Sequence, residues 1–94
     1  MTYKLRFLPA ALQEWEKLGA TVRSQLKNKL AQRLENPRVP ADKLRGYESI
    51  YKIKLRSAGY RLAYEVVDDE LVVYVIAVGK REKGKIYSTL EDRA

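Results

Sequence analysis

The chain contains no cysteine and no histidine. The first absence excludes a disulfide framework and a thiolate nucleophile or ligand. The second removes both the usual general base near neutral pH and the commonest transition-metal ligand. Acid–base chemistry here must use Lys, Arg, Tyr, Asp or Glu, and no metal or other cofactor is expected. No apolar run approaches the roughly 20 residues of a membrane span, and the opening Met1-Thr2-Tyr3-Lys4-Leu5-Arg6-Phe7 lacks the apolar stretch of a signal peptide. The expected compartment is therefore the cytoplasm, with no membrane partner. No repeat and no low-complexity segment is visible.

Cationic side chains are plentiful. Nineteen Lys and Arg against twelve Asp and Glu give a formal charge of +7 and a pI near 9.7. Such a balance favours an acidic partner, whether nucleic acid, anionic membrane or acidic protein, and does not choose among them. Ninety-four residues, 46% of them hydrophobic, predict one small domain over residues 1–94 with a single, marginal core.

Tyr3, Leu5 and Phe7 alternate with Thr2, Lys4 and Arg6, the pattern of a half-buried first strand. Leu8-Pro9 changes the period, since proline suits the first turn of a helix. Leu8, Leu12, Trp15 and Leu18 then recur at helical spacing up to a stop at Gly19. Thr21 is the expected cap of a second helix whose stripe Val22, Leu26, Leu30 and Leu34 runs to Asn36-Pro37. Together the two form an αα-hairpin. Residues 38–49 read as a connection with Lys43 and Arg45 exposed. After Asp68-Asp69-Glu70, the run from Leu71 to Val78 is apolar at every position, so that strand belongs inside the sheet with both faces covered. Gly79 to Lys85 reads as a flexible basic loop, and Ile86 to Arg93 as a short terminal helix. The expected class is α+β: an N-terminal strand, an αα-hairpin, a three-stranded meander and a short C-terminal helix, with an antiparallel-rich sheet and the helices on one face.

The middle of the chain carries the chemistry. In Tyr51-Lys52-Ile53-Lys54-Leu55-Arg56, alternation puts Tyr51, Ile53 and Leu55 on one face and Lys52, Lys54 and Arg56 on the other. If Ala58-Gly59 form a two-residue hairpin turn, Arg56 faces Arg61, Leu55 faces Leu62, Lys54 faces Ala63 and Ile53 faces Tyr64. Polarity then agrees at every pair, but two arginines opposite one another repel, and a bound polyanion would explain their retention. Lys80, Arg81, Lys83, Lys85 and Tyr87 follow the adjacent strand. Arg offers phosphate a planar fork of donors and Lys a compact charge. A solvated face is the commonest fate of a basic strand. Tyr47, Tyr51, Tyr60 and Tyr87 interleave with these cations and suit stacking on unpaired bases, although Tyr51 and Tyr64 fit the core better.

Cleaving RNA through its own 2′-hydroxyl requires a proton acceptor, charge stabilisation on the phosphate and help for the departing 5′-oxygen. Cations serve the last two needs. The first falls to Tyr87 or to a lysine, residue types whose ordinary pKa lies near about 10 and whose deprotonated forms neighbouring cations favour. DNA lacks the 2′-hydroxyl, so the route is specific to RNA. Glu65 and Glu82 are possible carboxylate participants, more simply read as balancing charge.

Leu44-Arg45-Gly46, Tyr51 to Arg56, Gly59-Tyr60-Arg61-Leu62, Val78-Gly79-Lys80-Arg81-Glu82, Tyr87 and the early Leu12, Glu14, Trp15, Lys17, Leu18 and Gly19 resemble the RelE toxins of bacterial toxin–antitoxin modules, in the RelE/ParE superfamily. The resemblance spans nearly the whole chain and departs at Lys83-Gly84-Lys85. It implies a ribosome-dependent endoribonuclease, an mRNA interferase that cuts mRNA in the A site of the 70S ribosome, against 16S rRNA, and so inhibits translation. It also implies a RelB-type antitoxin, with operator DNA reached only through the antitoxin complex. The family's catalytic positions fall on Lys52, Lys54, Arg61, Arg81 and Tyr87. Arg45, Arg56, Lys80 and Lys83 are the corresponding candidates for RNA or ribosome contact. The alternatives are a ParE-like gyrase-inhibiting toxin without nuclease chemistry and a plain basic RNA-binding module.

Overall fold

The computed structural model describes residues 2–80 and 85–93, residue 85 by its backbone alone. Strand β1 (Lys4–Phe7) leads into helices α1 (Pro9–Glu16) and α2 (Ala20–Glu35). Strands β2 (Ile50–Leu55), β3 (Tyr60–Val67) and β4 (Val72–Lys80) follow, and α3 (Lys85–Arg93) ends the chain. Pro9 opens α1, where its missing N–H has no partner to lose. The α1 helix stops at Glu16 rather than running to Gly19, which instead occupies the N-cap of α2 in extended conformation; Thr21 lies inside that helix. Leu12, expected on the buried stripe, is exposed, and Ala11 is buried in its place.

The sheet order is β1-β4-β3-β2. Both β2–β3 and β3–β4 are antiparallel, whereas β1 lies parallel to β4. Burial dictates this order: β4, apolar on both faces, needs a neighbour on each side, and β1 with its exposed Lys4 and Arg6 suits an edge. On one face Tyr51, Ile53, Leu55, Leu62, Tyr64, Val66, Val73, Val75 and Val78 pack against Ala11, Leu18, Leu26 and Leu30 of the helical layer.

The third helix departs from the one-sided arrangement. Leu90 packs with Leu44, Ile50, Ala63 and Ile76 on the opposite face of the sheet, with Ile86 alongside. A β-bulge interrupts β4 at this point. The β3–β4 pairing jumps from Ala63↔Ala77 to Tyr64↔Val75, leaving Ile76 as the extra residue; Ile76 packs on the α3 face, Ala77 opposite Ala63 shares that face, and Val78 returns to the helical layer.

The β2–β3 register also differs from the sequence expectation. Leu55 pairs with Tyr60, Lys54 with Arg61, Ile53 with Leu62 and Tyr51 with Tyr64. The turn therefore spans four residues, Arg56 to Gly59. The N–H of Gly59 donates to the Arg56 carbonyl at 3.3 Å, and its φ of +69° is the left-handed geometry that favours glycine. The partner of each residue moves by two positions, so every side chain keeps its face. Gly79 and Lys80, expected in the loop, are the last residues of β4.

Candidate active site

On the α3 face, Lys52 and Lys54 of β2 lie beside Arg61 of β3, all half-buried. Lys54 and Arg61 are directly opposed in the ladder, so the like-charge pair expected between strands exists with Lys54 in place of Arg56. Arg56 is exposed at the turn, where it lines a small recess with Lys54, Tyr60 and Arg61. Tyr60 pairs with Lys80 and Arg61 with Gly79, which carries the cationic zone across to the end of β4.

A pocket of about 90 Å³ opens at that end, lined by Glu14, Arg61, Ala77, Val78, Gly79, Lys80, Ile86 and Thr89. Among the described residues the Nε of Arg61 is buried without a hydrogen-bond partner. An unsatisfied buried donor costs roughly 1–3 kcal/mol, and this one belongs to a cation facing another cation. Both features are relieved by an anion in the pocket.

Tyr87 projects from α3 at 38% exposure, one residue from Ile86 of the pocket wall. Arg45 is exposed on the connection before β2, next to Leu44, whose side chain packs with Leu90 beneath α3. The structure thus brings Lys52, Lys54, Arg56, Arg61 and Lys80 into one zone and places Tyr87 on the helix that flanks it. Arg81, Glu82 and Lys83, with most of the loop before Tyr87, lie outside the described residues. Among the described residues no group of three or more carboxylates could hold a metal ion, and no helix is long and apolar enough to cross a membrane.

Two supporting groups are not apparent as site chemistry from the sequence. Glu14 accepts from both terminal nitrogens of Arg93, at 2.8 and 3.1 Å. It also accepts from the Val78 N–H at 3.2 Å, while Arg93 donates to the Ile76 carbonyl at 2.9 Å. This fork ties α1 and α3 to the backbone of β4 beside the bulge. Hydrogen bonding to Glu14 raises the Arg93 pKa above its ordinary value. The available signal was a carboxylate on the inward side of α1, three residues after Ala11 and four before Leu18.

Arg33 of α2 is the second. It donates to the Lys52 carbonyl at 3.2 Å and to the Tyr64 hydroxyl at 2.9 Å, and it pairs with Asp42. The Tyr64 hydroxyl donates in turn to the Pro37 carbonyl at 2.6 Å, and its ring stacks on Tyr51 with centroids 5.7 Å apart. Burial raises the Tyr64 pKa. The backbone carrying Lys52 and Lys54 is fixed from behind by this network.

A family model described as ParE toxin of type II toxin–antitoxin system, parDE, matches residues 5–84. The mRNA interferase toxin RelE of Escherichia coli K12 is 60% identical over 88 residues, 94% of this chain and 93% of that protein. The chain belongs to the RelE/ParE toxin family. The crystal structure of the isolated E. coli RelE toxin superposes with a TM-score of 0.84 at 57% identity, covering 96% of each chain. In the intact E. coli RelBE toxin–antitoxin complex the matching chain is 60% identical with a TM-score of 0.83, over 86% of this chain and 99% of that one.

Proposed function

We propose that this RelE/ParE-family protein is a ribosome-dependent mRNA endonuclease: a toxin that cuts messages in the ribosomal A site, inhibits translation and is neutralised by a RelB-type antitoxin. The observation that carries the reading is Lys54 set against Arg61, whose Nε is buried with no hydrogen-bond partner among the described residues, beside the helix that bears Tyr87. That arrangement suits a phosphodiester held among fixed donors. In the reaction the 2′-oxygen attacks phosphorus, its proton passes to Tyr87 or Lys54, and the P–O5′ bond breaks as the 5′-oxygen takes up a proton. Arg61 and Arg81 hold the phosphate, and Lys52 and Lys54 add positive potential. Arg45, Arg56, Lys80 and Lys83 contact RNA or the ribosome.

None of these groups is a strong base, so positioning of the message by the ribosome supplies much of the acceleration. Orientation of this kind can contribute about 7–11 kcal/mol. The test compares cleavage of one message on programmed ribosomes and free in solution. Fast cutting on ribosomes is expected, leaving a 2′,3′-cyclic phosphate or its opened 3′-phosphate and a 5′-hydroxyl. Equal rates in both settings, or cutting that survives 2′-deoxy substitution at the scissile nucleotide, would overturn the mechanism. The ParE description of the family model favours a second reading, inhibition of DNA gyrase. Loss of gyrase supercoiling activity without RNA cleavage would establish it.

A further inference from the structure

Tyr47 lies on the cationic face and has no part in the chemistry described above. It ends a tight turn, Leu44–Tyr47, in which its N–H donates to the Leu44 carbonyl at 3.3 Å. Gly46 holds the third position at φ +87°, the left-handed geometry that a type II turn requires there. The Leu44 N–H donates in turn to the Ile50 carbonyl of β2 at 2.9 Å, so the loop is closed at both ends and presents its side chains from a fixed backbone. Arg45 at the corner is exposed, and Tyr47 is half-buried against the cluster that contains Leu44, Ile50 and Leu90.

The orientation of α3 places Tyr87 on the same side. Ile86 and Thr89 line the pocket with Gly79 and Lys80, and Arg93 donates to Glu14 and to the Ile76 carbonyl. The helix therefore runs back along β4 with these three residues on its α1 flank. At about 100° per residue, Ile86 and Arg93 lie about 40–60° to one side of Leu90 and Tyr87 about 60° to the other. Tyr87 thus leans toward β3 and β2. Tyr47 borders the same Leu90 cluster from the connection that enters β2. The two tyrosines flank the start of the row Ile50, Lys52 and Lys54, whose first member packs with Leu90.

Packing alone does not call for an aromatic at this place. A leucine would complete the cluster beneath α3 without leaving a ring half in water. A half-buried ring on a rigid turn, with exposed Arg45 beside it and Lys52 beyond Ile50 on the strand, is the combination that holds single-stranded RNA. The cations meet its phosphates and the ring meets a base. Paired bases are stacked within their helix and offer no free face, so the occupant is an unpaired segment.

We infer that Tyr47 is a second stacking platform for the message: it carries an unpaired base of the same strand whose scissile nucleotide lies by Tyr87, and so fixes how that strand enters the site. The inference rests on the proposed function, which supplies a single-stranded message. Tyr47 contributes affinity and orientation, and it neither gives nor takes a proton.

The experiment measures equilibrium binding of the full chain to programmed 70S ribosomes. The message carries a 2′-deoxy nucleotide at the scissile position, so that it is not cut, and an abasic nucleotide at one neighbouring position at a time. On the message with all its bases, Tyr47→Leu should weaken binding about fivefold or more, and Tyr47→Phe, which keeps the ring, by no more than about twofold. Removing the base that Tyr47 carries should weaken the parent by a similar factor and abolish its difference from Tyr47→Leu, because the two changes delete one interaction. Circular dichroism and melting confirm folding, and Tyr47→Met is a second variant that keeps the packing and should behave like Tyr47→Leu. Equal binding by Tyr47→Leu and the parent overturns the proposal. So does a loss in Tyr47→Leu that persists whichever base is removed, since the ring would then act through the fold. Weakened antitoxin binding with ribosome binding intact also overturns it, by assigning Tyr47 to a protein partner. Coupling of Tyr47 to one base in a protein that cuts no ordinary message defeats the proposed function and leaves the stacking site, whereas cutting without that coupling does the reverse.

Discussion

Arg61 is held in a position that is poor for the free protein. Its charge opposes Lys54 across the ladder and its Nε is buried with no hydrogen-bond partner among the described residues, so two unfavourable effects converge on one side chain. Function and stability should separate there. Arg61→Met keeps the aliphatic stem and removes both penalties. The expected result is a gain of about 1 kcal/mol, a Tm rise of about 4–8 °C for a chain of this size. Single-turnover cleavage on saturating ribosome complexes should fall by about 100–1,000-fold, the cost of losing a donor to developing charge. A melting temperature that falls would show that the pair is compensated within the protein. Tyr87 presents the opposite case, an exposed ring with little packing at stake. Tyr87→Phe retains stacking and removes the hydroxyl, and a missing proton acceptor typically costs about 100- to 10,000-fold. Cleavage at the parental rate would remove Tyr87 from the mechanism and leave Lys54 as the base.

The α3 helix depends on few anchors, and these set where Tyr87 stands. Leu90 is fully buried, Ile86 lies alongside the same cluster, and Arg93 closes the end through Glu14. Arg93→Ala should leave the melting of the sheet nearly unchanged while raising amide exchange across residues 86–92, because loosely held elements open locally before the whole fold does. Cleavage should drop about tenfold or more through misplacement of Tyr87, and Arg93→Lys should restore part of it; unchanged exchange would show that Leu90 alone holds the helix. Period-two alternation in Tyr51–Leu55 and the solid apolar run of β4 were legible in the sequence because each states its burial directly. The stripe Val22, Leu26, Leu30 and Leu34 was legible for the same reason. The β2–β3 register was not, since a two-residue slip preserves every face and Arg56 to Gly59 serves equally as part of a shorter or a longer turn. The bulge at Ile76 left no mark in a run where every residue is apolar, and because both faces of β4 are apolar the run did not say which of them α3 would cover. Lys52, Lys54 and Arg61 were identifiable as a cationic row from spacing alone. The union of that row with the Glu14 and Arg93 fork depends on interactions between residues far apart in the chain.

For the molecule as a whole, charge governs both stability and capture. Hydrogen bonding from Arg38, and then from Tyr3, holds the Asp68 carboxyl below its ordinary value of 3.8. Its contribution is therefore present above that value and is lost as pH falls through the lower folded one. Tyr64, raised above 10.0 by burial, contributes below 10.0 and loses its effect as pH rises through the folded value. With no histidine in the sequence, urea midpoints should be nearly flat between these limits, and Asp68→Asn should flatten the acid limb; an unchanged limb would assign it to other carboxylates. The same excess of cations predicts how an antitoxin is caught. With a formal charge of +7, Lys52, Lys54 and Arg61 gathered on one face and Lys80 at the strand end beside the pocket, an acidic segment is attracted before the two surfaces touch, and steering of this kind acts on the association rate. Stopped-flow mixing with a RelB-type antitoxin should therefore show an association rate that falls steeply as salt shortens the screening length to about 10 Å at 0.1 M and about 3 Å at 1 M. The dissociation rate should respond far less, because it reports the apolar packing formed after docking. Neutralising Lys52 and Lys80 together should lower the association rate and its salt dependence in parallel. An association rate indifferent to salt would show that the antitoxin first engages an apolar surface, with the cationic face covered only afterwards.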